Sequence, residues 1–298
     1  IAAETGAVVW AQNYDNALAD VFSVQDEVVS VIASTLTGQV ELDSAARAAN
    51  SHPSSVAAYD LALRGFQHQQ LGTRTDTAIA IDYLERAIAL DPNYTEAYPW
   101  LAAAYHTNWQ FDYEPRTLQQ AIEIGARGVN LDPHSARCHA SLGCCLLYDK
   151  QFDRAEHHHR RALALNPNDP QVLTLLGLYE AYMGRLDRST QHFDSALRLS
   201  PYPPDWFAEF RSLAAFADGR YDDTRAGFDG YADRFWDAMY LASAYGHLGR
   251  LDQGVALIAR YRDSHPHLSF PTIAANEPFA RREDSARLID GLQKVLKD

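Results

Sequence analysis

The chain is short of cysteine, of long apolar runs and of excess positive charge, and each shortage removes a class of function. Three cysteines, Cys138, Cys144 and Cys145, are too few and too clustered to staple a disulfide framework. If Cys138 and Cys145 share a helix, seven residues of rise set their Cα atoms roughly 10 Å apart, beyond disulfide reach. A reducing compartment is the simpler expectation. No apolar run approaches the roughly 20 residues that span a bilayer. Acidic residues outnumber Lys and Arg by 39 to 26, giving a formal charge of -13, and no basic cluster with interleaved aromatics offsets it. That balance repels phosphate backbones and anionic headgroups, so neither nucleic acid nor membrane is expected as a partner. No phosphate loop and no glycine-framed nucleophile elbow occurs, and no catalytic residue or cofactor site is expected.

What the chain does contain is a large apolar fraction, 47% of 298 residues, enough for one elongated domain or two compact ones. It begins at Ile1, which leads us to expect a processed or excised piece of a longer protein.

The most chemically suggestive stretch is "GCCLLYDKQFDRAEHHHRRALALNP", residues 143 to 167, with paired cysteines ahead of three histidines. Its meaning changes when it is laid over "GLYEAYMGRLDRSTQHFDSALRLSP", residues 177 to 201, at a shift of 34. Gly143 meets Gly177, Phe152 meets Leu186, Asp153 and Arg154 meet Asp187 and Arg188, Ala162 meets Ala196, and Pro167 meets Pro201. The would-be ligands do not recur. Cys144 and Cys145 become Leu178 and Tyr179, while His157 and His159 become Gln191 and Phe193; only His158 meets a histidine, His192. Consecutive helical residues diverge by about 100° and cannot converge on one ion. We therefore expect no metal site, with His159 in the core place of Phe193 and its neighbours facing solvent or the adjacent helix. A pairing of His158 with His192 would lack a third ligand. The cysteines read as ordinary helix core.

The ending recurs as "AIALDP", "GVNLDP", "ALALNP" and "ALRLSP", and each unit opens with an apolar stripe carrying a small residue: Leu101-Ala102, Leu142-Gly143, Leu176-Gly177, Leu241-Ala242. This is a helix-turn-helix repeat. Its 34-residue period and packing positions resemble the tetratricopeptide repeat. Residues 95 to 133 carry about seven extra residues around "NWQFDYEP", and "GTRTDT", "ADGRYDDTRAGFDGY" and "HLGRLDQGVALIARY" belong to looser units. About six helix pairs are expected between residues 56 and 266.

Ahead of the repeats, "GAVVWAQNYD" alternates as a strand from Val8 to Tyr14, and Ser23 with Asp26 starts a helix striped by Val28, Val31, Ile32 and Leu36. We expect residues 1-50 to be the end of an α/β domain, 51-266 an all-α repeat array and 267-298 a capping helix segment. An unpaired strand at Val8 to Tyr14 invites a two-fold dimer.

The runs "VVWAQNYDNALADVFSVQDEV" and "AIDYLERAIALDPNYTEAYPWLAAAY", with the closing "EPFARREDSARLIDGLQKVLKD", resemble the repeat-bearing C-terminal half of bacterial class III adenylate/guanylate cyclases. Similar halves follow winged-helix domains in some transcription regulators. The resemblance implies a right-handed superhelix with first helices lining a concave face, and a cytoplasmic, regulatory, protein-binding arm. Two other readings, a fragment contributing to cyclase catalysis and a metal-responsive regulator, stand as alternatives. Residues expected to face the groove are Trp100, Arg137, Tyr148, Tyr182, Trp206, Phe210, Phe216, Trp236 and Tyr240. With Arg137 nearly alone as a cation, an acidic peptide clamp is disfavoured and an amphipathic helix or extended apolar segment fits better. The aromatics could equally pack between repeats or against the chain's own terminal helix.

Overall fold

The computed structural model describes residues 55–228, 235–264 and 269–296. The expected strand at Val8 to Tyr14, the helix after Ser23 and the dimer through that strand lie outside the described residues. Within them the chain is all-helical, with 14 helices and no strand.

Twelve helices form six pairs: α1 (Ser55–Leu71) with α2 (Arg74–Leu90), α3 (Ala97–Asp112) with α4 (Pro115–Leu131), α5 (Ala136–Tyr148) with α6 (Phe152–Leu165), α7 (Pro170–Tyr182) with α8 (Leu186–Leu199), α9 (Asp205–Ala217) with α10 (Tyr221–Phe228), and α11 (Phe235–His247) with α12 (Leu251–Ser264). A short α13 (Phe270–Asn276) and α14 (Arg282–Leu296) follow. The extra residues near "NWQFDYEP" are absorbed as added helix, since α3 and α4 run 16 and 17 residues where α5 and α6 run 13 and 14.

Local chemistry explains the joints. At three of the joints between pairs, the Asp or Asn before the proline folds its carboxylate or amide oxygen onto the backbone N–H two residues on: Asp91 on Asn93 (3.0 Å), Asp132 on His134 (2.9 Å), Asn166 on Asn168 (3.1 Å). These turns end one helix while proline forbids its continuation. Ser135 then caps α5 by accepting from Cys138 N–H, and Asp169 caps α7 by accepting from Gln171 and Val172 N–H. Within pairs the connecting residue is left-handed. Gly184 holds φ +71° after α7, while the equivalent position after α5 is Lys150 at φ 58°.

The pair interface depends on a missing side chain. A Cβ built on Gly143 would lie 3.0 Å from the His159 ring, and one on Gly177 would lie 3.0 Å from the Phe193 ring. The two repeats are thus superposable in packing as well as sequence, with a small residue on the first helix receiving a ring from the second. Leu101, Ala102, Leu142, Leu176, Leu241 and Ala242 are all buried at the corresponding stripe.

One apolar core runs from α3 to α14, and a second fills α1 to α3; Tyr105 and Ile124 touch both. Each pair therefore stabilises mainly its neighbours, the one-dimensional logic of repeat arrays. Curvature brings distant pairs together: Trp206 on α9 donates Nε1–H to Gln70 Oε1 on α1 (2.9 Å), and the Phe235 ring sits 5.8 Å from that of Tyr113.

Candidate functional site

The end of α1 with α3, α5, α7 and α9, the first helices of five pairs, lines a recess of about 970 Å³, counting the space open to solvent. Trp100, Trp206 and Phe210 supply its apolar wall, and Gln70, Arg137 and Glu209 its polar groups. Trp100 sets its indole at a tilt against Phe66, ring centroids 4.7 Å apart, is 5% exposed, and its buried Nε1–H has no hydrogen-bond partner. Arg137 donates Nε–H to the buried Asp169 carboxylate at 2.9 Å. The recess thus combines aromatic surface with a few polar side chains, as ligand pockets do.

Beyond Phe210 the same face is covered by the chain's own end. Glu277, between α13 and α14, is 4% exposed and accepts three hydrogen bonds on Oε2: from Tyr182 Oη (2.6 Å), Tyr240 Oη (2.7 Å) and Trp236 Nε1 (3.2 Å). The hydroxyls of Tyr148 and Tyr240 lie 3.2 and 3.3 Å from that of Tyr182. Phe279 packs on Tyr182 at 4.9 Å, and Ala280 N–H donates to the Tyr182 carbonyl (3.0 Å). Burial raises the Glu277 carboxyl pKa, outweighing the three hydrogen bonds that favour its ionised form. Burial and then the Glu277 charge push the phenols of Tyr182 and Tyr240 well up.

Further on, α14 crosses α11 at two glycines. A Cβ on Gly246 would come within 2.0 Å of the Gly291 carbonyl oxygen, and Ser243 Oγ donates to the Leu288 carbonyl (2.9 Å). Asp284, fully buried, accepts from Arg281 (2.7 and 3.0 Å) and Arg287 (3.3 Å), and Arg287 also donates to the Ala217 carbonyl.

Of the residues expected to face the groove, Trp100, Arg137, Trp206 and Phe210 border the open recess. Tyr182, Trp236 and Tyr240 lie beneath the terminal segment with Tyr148 beside them, and Phe216 is buried against Tyr240 and Tyr221. Sequence reasoning passed over Gln70, Glu277 and Phe279. "NEPFARR" offered one signal, a proline-flanked acid and aromatic between two helices, but nothing local says that the acid is buried.

The histidines divide. His157 is exposed; His159 is 1% exposed with neither ring nitrogen hydrogen-bonded, and burial holds its pKa at about 3. His158 finds its partner in His139 on α5, Nδ1 to Nδ1 at 2.8 Å. Because His139 Nε2 faces the Pro133 carbonyl (3.2 Å), the neutral pair is satisfied with His139 protonated at Nε2 and His158 donating from Nδ1. Burial lowers the pKa of both, that of His158 to about 4. The three cysteines are free, buried and on α5, their thiols raised by burial, Cys138 to about 11 and Cys144 to about 12. Among the described residues, no three His, Cys, Asp or Glu side chains converge on a metal position, and no helix is long and apolar enough to cross a membrane.

Paired helices with this repeat-to-repeat packing define a tetratricopeptide-like α-solenoid. No family model matches the chain. In the crystal structure of the APC/C hetero-tetramer Cut9-Hcn1, a chain superposes with TM-score 0.53 at 14% identity, over 81% of this chain and 49% of that one, a likeness of fold. The thermophilic tetratricopeptide protein TTC0263 of Thermus thermophilus matches at 23% identity and TM-score 0.44, over 52% of this chain and 80% of that one. A curated relative named "Putative adenylate cyclase 3", from Rhizobium meliloti (strain 1021), is 28% identical over 156 residues, 51% of this chain. The match spans 27% of that relative's length.

Proposed function

We propose that this chain is the non-catalytic, protein-binding arm of a larger bacterial signalling protein, a class III nucleotide cyclase, working in the cytoplasm. Residues 51-266 form the right-handed repeat array and 267-298 its cap. The open part of the concave face takes a helix or an extended apolar peptide through Trp100, Arg137, Trp206 and Phe210; Tyr148, Tyr182, Phe216, Trp236 and Tyr240, expected at the same groove, are buried with the chain's own terminal segment over or beside them. The observation that carries this reading is the open recess walled by Trp100, Trp206 and Phe210. Aromatic anchors in a concave pocket are where binding energy concentrates. The relative named as a cyclase supports the choice of parent.

The test is a selection of displayed peptides against the full chain, followed by anisotropy titration of the winners. Binders should dissociate at micromolar concentrations and lose at least tenfold in affinity with Trp206→Ala. Winners indifferent to both Trp206→Ala and Trp100→Ala would overturn the assignment. Conversion of ATP to cAMP by this chain with Mn²⁺ or Mg²⁺ would instead make it an enzyme fragment.

A further inference from the structure

We propose that residues 277–281, "EPFAR", are a built-in ligand. The site they fill, walled by Tyr182, Trp236 and Tyr240, is a second binding site, for an extended segment carrying a carboxylate and, two residues on, an aromatic ring. This rests on the concave face being a binding surface, and concerns a part of it separate from the Trp206 recess.

The segment has the features of a bound peptide. It is non-helical between two helices, and it lies across the first helices of two pairs that are not adjacent, α7 and α11. One carboxylate oxygen collects three donors from those helices. Two residues later Phe279 sets its ring 4.9 Å from Tyr182 and 6.4 Å from Tyr240. The next residue makes a main-chain hydrogen bond, Ala280 N–H to the Tyr182 carbonyl at 3.0 Å. Anchor acid, anchor ring and backbone bond are the three elements by which extended segments are read.

Packing alone does not call for this chemistry. A buried carboxylate among phenols and an indole is poorly solvated, and an apolar residue of similar volume would close the face at least as well. The side chains around it are Tyr148, Tyr182, Trp236 and Tyr240, and the nearest cationic influence is Lys150. What the side chain adds is selectivity: one oxygen meets three preplaced donors, which penalise a segment that offers no acceptor there. Because the built-in segment is tethered, it competes at an effective concentration on the order of millimolar, so an outside segment engages when the tether opens or when it binds more tightly.

The experiment uses a fluorescein-labelled peptide of residues 272 to 285 added to the full chain. Wild-type chain, its site filled, should bind it at least tenfold more weakly than the Glu277→Ala/Phe279→Ala variant, whose own segment no longer fits. The same peptide carrying Phe279→Ala should not bind, and adding Tyr182→Phe to the double variant should weaken binding about tenfold. A double variant with wild-type helical content that ignores the peptide up to millimolar concentration overturns the proposal.

A second measurement needs no variant. Native-state hydrogen exchange in the wild-type chain should show the Ala280 amide exchanging at least 100-fold faster than the amides of Leu288 and Leu292 on α14, because the segment opens while α14 stays. Equal rates would make the segment a permanent strut and sink the idea even if the double variant fails to fold. Neither outcome touches the Trp206 recess, whose ligands are scored by Trp206→Ala.

Discussion

Replacing His159 with phenylalanine should stabilise this protein. The ring is 1% exposed, and neither nitrogen has a hydrogen-bond partner. Each such buried polar atom is disfavoured by about 1–3 kcal/mol relative to a satisfied one. One repeat later, Phe193 occupies the same place against the same glycine gap, 3.0 Å in both cases, so the pocket's shape already admits a phenyl ring. The larger ring offsets part of the gain through overpacking, on the order of 1 kcal/mol. A net gain of about 1–2 kcal/mol remains, which for a chain of this size is a rise of roughly 2–8 °C in melting temperature. The pH dependence should change as well. A histidine whose folded pKa is depressed to about 3 contributes stability that is fully present above its unfolded value, and that stability is lost as pH falls below about 6.5. His158, at about 4, acts in the same direction. Circular dichroism melts at pH 7.5 and 5.0 should therefore show His159→Phe above wild type at both and further above it at pH 5.0. A variant that melts below wild type at pH 7.5, or that keeps the full acid sensitivity, refutes the reasoning.

Three further outcomes are expected. Lys150→Gly, which relieves a left-handed backbone at φ 58° where the next repeat has Gly184, should add about 1 kcal/mol in urea titration; no change would mean that the turn carries no strain. Gly246→Ala would drive a methyl into the Gly291 carbonyl and should cost on the order of 3 kcal/mol, so an unchanged melt would show that α14 does not pack where described. Glu277 has a raised folded pKa, so its unfavourable effect is absent below the unfolded carboxyl range and grows as pH rises from there through the folded value. Glu277→Gln should therefore gain on wild type between pH 4 and 8, and a melting difference that is flat or shrinks over that range argues against a destabilised carboxylate.

How much of this was legible in the sequence differs between local and distant contacts. Gly143 and Gly177, Pro133, Pro167 and Pro201 at the turns, and the His159 and Phe193 rings stand at a spacing of 34 residues, so comparison of one unit with the next reveals their roles. The partner of His158 was harder. The shift of 34 drew attention to His192, yet a second helix packs first on its own pair-mate, and His139 lies there. Glu277, Phe279 and Gln70 had no repeating counterpart to be compared with. Their contacts span 95 residues from Tyr182 to Glu277 and 136 from Gln70 to Trp206, set by the curvature of the whole array. Curvature accumulates from small rotations at every pair, which no local pattern records.

The concave recess as a protein-binding site is tested most directly by the indole ¹⁵N–¹H resonances of the chain during titration with a selected peptide. The signals of Trp100 and Trp206 should move together and saturate with the anisotropy curve, while that of Trp236, bonded to Glu277 under the terminal segment, should stay in place. Saturating binding that leaves both Trp100 and Trp206 unmoved would contradict it.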